Sequence, residues 1–352
     1  MDNKSRVLFI LKRREDYNAI THSHIGLSTG LYNSANFMNE MLNENGIESN
    51  LVVVHDNNCI DREVTKYKPT HVIIEALWVV PEKFDILQRL HPKVKWIIRM
   101  HSETPFIANE GNAMKWLAEY TSYENLYIGC NAPRFLREIR YYTQVRNRWS
   151  NAETRERIIY LPNYYPTDFI TKPLNRKKDT IDIGCFGAIR PLKNHLLQAM
   201  AAVEFAEQID KKLRFHVNVG RIEMKGQPVF HNLEGMFGQL ANAGHELVNN
   251  QWSPREDFLK ICHSMDIGLQ VSFSETFNIV GADLISQGVP LVGSTEIPWL
   301  APQSCADPTN SSEIVKKLHK TYNWPGMNIW FNQRNLANYS NNTRKIWVKY
   351  FK

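Results

Sequence analysis

SFSETFNIVGADLISQGVPLVGS, from Ser272 to Ser294, sets two acids, Glu275 and Asp283, in an otherwise apolar, glycine-punctuated run. The segment leading into it, DIGLQVSF (266–273), is continuously apolar apart from Gln270. Such a run reads as a central strand of a parallel sheet. The chain then turns, enters a helix near Asn278 and leaves it for a further strand, PLVGS (290–294). In open α/β sheets ligands sit beyond the carboxyl ends of the strands, and Glu275 falls there. The first turn of the helix offers N–H groups and a dipole that favour an anion such as a diphosphate. Asp283 lies inside that helix, about two turns beyond Glu275. The pair reads as two grips on one ligand. It also reads as a loop acid followed by a carboxylate that complements the helix dipole.

The same alternation extends in both directions. Upstream, RVLFIL (6–11), SNLVVVH (49–55), THVIIEAL (70–77), VKWIIRMH (94–101), ENLYIGC (124–130) and RIIYLPNYYP (157–166) read as strands or hold one. Between them LYNSANFMNEMLNENG (31–46), PEKFDILQRLHP (81–92) and APRFLREIRYY (132–142) carry apolar residues at helical spacing. A polar, basic break, TKPLNRKKDT (171–180), reads as a linker. The pattern then restarts with strands at 181–189, 213–220, 266–273 and 290–294, and helices at 194–209, 254–265, 311–322 and 332–351. Strands alternating with helices mean parallel sheets. The expected architecture is α/β, with a first domain at 1–170, a linker at 171–180, a second domain at 181–331 and a closing helix at 332–352 that packs back on the first domain. Two doubly wound domains of this kind face a central cleft, the expected place for a ligand.

At 352 residues the chain suits two cores rather than one. No window comes near the roughly 18 uninterrupted apolar residues of a membrane span, and MDNKSRVLFILKRRED reads as a first strand rather than a signal peptide. The five cysteines are scattered and never in CxxC spacing, as expected of reduced thiols in the cytoplasm. A net charge of +6 permits an anionic partner without demanding one. Asparagine pairs such as Asn57-Asn58 and Asn341-Asn342 suit an AT-rich genome, many viral ones included, and the compartment would then be the host cytoplasm.

SETFNIVGADLISQGVPLVGS resembles the signature of the retaining glycosyltransferases of family 4, which have the GT-B fold of two Rossmann-like domains. Their pattern is Glu, seven residues, Glu, then a small residue, Gly and Pro leading into a strand; here Asp283 stands for the second Glu. The resemblance implies that Glu275 binds donor-sugar hydroxyls, that Asp283 bonds the nucleotide ribose, and that the turn Thr276, Phe277, Asn278 and Ile279 holds the diphosphate through backbone amides. CFGAIRPLKNHLLQAM (185–200) resembles the family's Gly–Arg–x4–Lys element. Gly187 and Lys193 keep the spacing, while the arginine is displaced to Arg190. Chemically, cations are needed over a departing diphosphate, and Arg190 and Lys193 supply them.

In the first half, Gly26 and Gly30 lie between the first strand and the first helix, where glycines let a backbone approach a ligand. The resemblance implies a donor-phosphate loop there. His22 and His24 lack further ligands at useful spacing, and the family needs no metal for catalysis. His101 ends a strand, and the resemblance implies contact with the reacting sugar. The stretch 132–160 gathers Arg134, Arg137, Arg140, Arg146, Arg148, Arg155 and Arg157 among Tyr141, Tyr142 and Trp149. Arginines with interleaved aromatics suit phosphates and exposed bases, although a solvated helix face has the same composition. The domain that binds the acceptor in GT-B enzymes carries this stretch. The combined expectation is a glycosyltransferase that uses a nucleotide-sugar, needs no cofactor, and acts on a hydroxymethylated pyrimidine in DNA, as compact phage-type enzymes of this appearance do. The alternatives are a cell-surface glycan or lipid precursor as acceptor, or a non-catalytic nucleotide-sugar or nucleic-acid-binding protein.

Overall fold

A computed structural model describes residues 4–12, 30–171 and 178–352. Gly26, His22, His24 and residues 172–177 of the expected linker lie outside them. The described residues fall into two units. One takes those up to Tyr164 together with Ser340–Lys352, and the other takes those of Tyr165–Tyr339.

The first unit runs β1 (Arg6–Lys12), α1 (Gly30–Glu44), β2 (Glu48–Val54), α2 (Ile60–Tyr67), β3 (His71–Glu75), α3 (Lys83–Leu90), β4 (Lys95–Met100), α4 (Thr104–Ile107), α5 (Ala113–Tyr120), β5 (Leu126–Cys130), α6 (Pro133–Asn147), α7 (Asn151–Arg157) and β6 (Ile158–Tyr160). Its described strands pair in parallel in the order β2-β1-β3-β4-β5-β6. Alternate side chains of each strand enter opposite cores. Leu8, Val72, Ile74, Trp96 and Ile98 pack with Phe84, Leu117 and Phe135 on one face. Val7, Phe9, Ile73 and Ile97 pack with Met38, Met41 and Trp347 on the other. Both faces are therefore covered, which is why these strands are apolar almost throughout.

The second unit runs β7 (Thr180–Gly184), α8 (His195–Gln208), β8 (Lys212–Asn218), α9 (Gln227–Leu240), β9 (Glu246–Asn250), α10 (Arg255–Ser264), β10 (Ile267–Gln270), α11 (Ile279–Ser286), β11 (Leu291–Gly293), α12 (Ser311–Asn323) and α13 (Pro325–Phe351). The described strands are again parallel, in the order β11-β10-β7-β8-β9. Strand order reverses between β7 and β10, so the loops after these two strands leave the sheet at its topological switch point. Helix α13 starts at Pro325, earlier than the expected 332, because Pro suits a first turn whose N–H groups are unpaired anyway. Its last residues belong to the first unit, where Trp347 stacks on Phe9 with ring centroids 6.0 Å apart and donates from Nε1 to the Pro162 carbonyl at 2.9 Å. Among the described residues no helix is long and apolar enough to cross a membrane.

His71 opens β3 with its ring edge-on to Phe351, centroids 5.1 Å apart. Burial, with Lys95 adding, pushes its imidazole down to about 4. The folded chain thus binds this proton less readily than the unfolded chain. The associated stability is present above the ordinary histidine range, near pH 6.5, and is lost as pH falls towards 4, amounting to about 3 kcal/mol. In urea titrations from pH 7 to pH 4, His71→Gln is expected to lose less stability than the parent chain over that window.

Candidate functional site

The loops after β7 and β10 carry the residues singled out by the sequence, and they are tied together by amides. Gly187 has φ +112°, a conformation that side chains with a Cβ rarely adopt, and its N–H donates to Asn218 Oδ1 at 3.0 Å. Gln270, the lone polar residue of its strand, is buried. It donates to the Phe186 carbonyl at 3.1 Å and accepts from Asn278 Nδ2 at 3.0 Å. Asn278 in turn caps α11, accepting from the Gly281 N–H at 2.7 Å. One amide pair therefore fixes both the glycine turn after β7 and the start of α11. Asn194 adds a second tie, donating to the Val271 carbonyl at 3.1 Å.

On this frame Lys193 Nζ donates to Glu275 Oε1. The two side chains are only 10% and 8% exposed. The expected diphosphate cation and sugar-binding acid are thus brought together and neutralise each other. Arg190 lies farther out, with Nη1 3.7 Å from Glu223 Oε2, and Glu223 also takes Arg221 Nε at 2.5 Å. Thr276 and Ile279 are half-buried in the same turn. Phe277 is buried; its ring packs on Tyr165, Trp299 and Tyr339, and its carbonyl accepts from Trp299 Nε1 at 2.7 Å. His195, the first residue of α8, is buried, and burial with Lys193 and Arg190 pushes its imidazole down to about 3, so it stays neutral.

Asp283 is buried within α11. Its Oδ1 accepts from the Tyr165 hydroxyl at 2.8 Å and meets Arg255 Nη1 at 2.7 Å. Burial pushes its carboxyl up against the pull of Arg255 and Tyr165. Tyr165 and Arg255 were not singled out by sequence, because neither stands near Asp283 in the chain.

In the first unit, His101 follows β4 and its Nε2 meets Glu75 Oε2. Glu75 also takes Arg99 Nη1 at 3.1 Å. Gly30 begins α1. The arginine-rich stretch separates by environment. Arg134, Arg137, Tyr141, Val145 and Arg148 recur along one exposed face of α6 and its cap, with Tyr141 and Val145 72% and 65% exposed. Arg134 also pairs with Glu103 at 3.1 Å. Arg140 is turned inward instead, donating to the Ile158 carbonyl at 3.0 Å. Arg146 donates to Thr121 Oγ1 at 3.3 Å, and Arg157 is spent on the carbonyls of Tyr123 and Leu126. Among the described residues no group of three or more His, Cys, Asp and Glu could hold a metal ion.

Asp283→Asn keeps the shape of the Arg255 contact and removes its counter-charge. Losing one partner of a fully buried pair costs about 3–5 kcal/mol; because Arg255 keeps 21% exposure, the expected loss is nearer about 2 kcal/mol. The urea midpoint should fall accordingly, and adding Arg255→Gln should restore most of it.

No protein-family model matches this sequence, and no curated protein does. Solved structures do. The trehalose-6-phosphate synthase OtsA aligns with a TM-score of 0.68 at 13% identity, over 99% of this chain and 97% of that one. The UDP-forming α,α-trehalose-phosphate synthase of Burkholderia vietnamiensis aligns with a TM-score of 0.68 at 10% identity, over 99% and 96%. Anabaena HepE in complex with UDP gives 0.60 at 10% identity, over 98% and 97%. Identities this low speak to the fold, and the fold is that of these GT-B proteins, built from two Rossmann-like parallel-sheet units.

Proposed function

We propose that the chain is a nucleotide-sugar-dependent glycosyltransferase acting with retention at the anomeric carbon. The observation that carries this reading is the meeting of Gly187, Lys193 and Glu275 at the switch point of the second sheet. A diphosphate laid over the Gly187 turn and the amides at the start of α11 takes Lys193 from Glu275, and Glu275 then accepts hydroxyls of the donor sugar. Arg190 adds charge to the leaving diphosphate. Positioning and fixed charge supply the rate enhancement, and no metal is needed for the step. The acceptor hydroxyl attacks on the face the diphosphate leaves, and the phosphate assists its deprotonation. Both contacts of Asp283 fall on Oδ1, so Oδ2 is the atom for the ribose. His101 contacts the sugar. UDP is the first donor nucleotide to try, because the named neighbours include UDP-forming synthases and a UDP complex.

For the acceptor we propose a hydroxymethylated pyrimidine in DNA, reached in the cytoplasm. The exposed α6 face of Arg134, Arg137 and Arg148 around Tyr141 supports it, since arginines position phosphates and an open ring can stack on a base. The second reading is a phosphorylated sugar, cell-surface glycan or lipid precursor, favoured by the trehalose-phosphate synthases among the neighbours.

Incubating the protein with pooled nucleotide sugars should give donor turnover, and Glu275→Ala should lower it about 10²- to 10³-fold. Mass spectrometry of nucleosides from hydroxymethylated DNA should show an added hexose or pentose. No turnover of any donor would remove the enzyme reading. Turnover with silent DNA, and transfer to a sugar phosphate or lipid, would replace the acceptor. Arg137→Ala with Arg148→Ala should reduce DNA affinity and flatten its salt dependence.

A further inference from the structure

Val271 is the first residue after β10, and it lies beyond the point where β10 pairs with β7, since that pairing ends with Gly268 opposite Gly184. Two side-chain amides take the place of the missing strand. Gln198 Oε1 accepts from the Val271 N–H at 2.6 Å, and Asn194 Nδ2 donates to the Val271 carbonyl at 3.1 Å. Asn194 stands just before α8, next to Lys193, and Gln198 lies one turn inside the helix. Gln198 is fully buried, and its other end closes on the turn that carries Lys193. Its Nε2 donates to the Lys193 carbonyl at 2.7 Å and to the Asn194 carbonyl at 3.2 Å. Asn194 is left-handed at φ +58°, a conformation in which asparagine is enriched. Its side chain does not cap α8 and reaches the Pro308 carbonyl at 2.8 Å as well. One more bond runs from the Phe273 N–H to the Leu192 carbonyl at 3.0 Å. The turn is thus joined to the chain after β10 on both sides of Lys193, and Glu275 follows two residues beyond the last of these bonds.

We propose that Gln198 is a positioning residue for the Lys193–Glu275 pair: one buried amide bonds the main chain of both Lys193 and Val271, and so fixes the spacing of two charged groups that lie 82 residues apart in sequence. The inference rests on the reading of Lys193 as the cation for the donor diphosphate. In that reading the ammonium changes partner, from Glu275 to phosphate, and the change is productive only if the side chain moves while its backbone stays in place. The turn's own bonds are weak guarantors of this. Pro191–Lys193 is a single short turn, closed by the Lys193 N–H on the Arg190 carbonyl and the Asn194 N–H on the Pro191 carbonyl, both at 3.0 Å. Gln198 adds the restraint, because letting the turn go would leave the Lys193 carbonyl and the Val271 N–H without partners in a buried place. The residue type fits the task. The contacts need an acceptor for one N–H and donors for two carbonyls, which a neutral amide offers and a carboxylate does not.

The test uses the full chain carrying lysine labelled with ¹³C at Cε, the Lys193 signal being assigned by its loss in Lys193→Arg. In the parent chain that signal is expected apart from those of the exposed lysines, and Glu275→Gln should remove the displacement. Gln198→Met keeps the length of the side chain and removes its three bonds, so it should carry the Lys193 signal towards the exposed lysines. With an active donor, Gln198→Met should lower kcat about 10- to 100-fold with little change in KM. Added to Lys193→Ala it should cost less than about twofold, because its effect passes through Lys193. A parent Lys193 signal already among the exposed lysines overturns the proposal. So does a folded Gln198→Met whose Lys193 signal is unmoved, and so does a full loss of kcat from Gln198→Met in the Lys193→Ala background. If Gln198→Met does not fold, the same comparisons are made on Gln198→Glu, which keeps the acceptor for Val271 and lacks the donors for the turn. Absence of donor turnover would remove the glycosyltransferase reading alone, because the Lys193 signal decides the role of Gln198 without it.

Discussion

A charged or amide side chain carried into a sheet covered on both faces must find its partners inside the fold, because water is out of reach. Both units are arranged around residues that meet this constraint at the carboxyl ends of strands. Gln270 meets it by holding the Phe186 carbonyl and the Asn278 amide. Arg99 meets it by holding the carbonyls of Leu161 and Pro162. In each case a polar group of the core reaches into a neighbouring loop and fixes it. The loops that leave the β7–β10 switch point inherit the rigidity of the sheet, which a chain of glycines and turns would lack on its own.

The same constraint separates what the sequence displayed from what it hid. The passage β10–α11–β11 was legible because its order is local: an apolar run, a capping asparagine, a helix and a Gly-containing stop within residues 266–294. Elements with thin apolar faces were not. Helix α9 contains two glycines and buries only Leu233 and Phe237, and β9 is an edge strand of half-exposed residues, so neither produces a clear period. Helix α7 is seven residues long and rests on a capping box between Ser150 and Glu153, a signal submerged in the surrounding arginines. Among the site residues, Lys193 and Glu275 were legible from their spacing to glycines and helix starts. Glu75 and Arg99 were not, since each follows an apolar run near the end of its strand and only the register of β3 against β4 makes them a pair. Asp283 was found, but its partners were not: Tyr165 lies 118 residues away.

The pairing of Lys193 with Glu275 has a consequence for selectivity under the proposed function. Both side chains are nearly buried, so either one left alone would be an uncompensated charge in a poorly solvated place. Free phosphate can take Lys193 but leaves Glu275 stranded. A neutral sugar can donate hydroxyls to Glu275 but offers nothing to Lys193. A nucleotide-sugar carries a diphosphate and sugar hydroxyls on adjacent atoms, and it can replace both halves of the pair at once. Opening the pair is therefore least costly for a ligand with both functions, which is discrimination through the penalty placed on partial ligands as much as through new contacts. Gly187 allows the anion to approach Lys193, since its turn carries no side chain and its conformation is one that other residues rarely adopt.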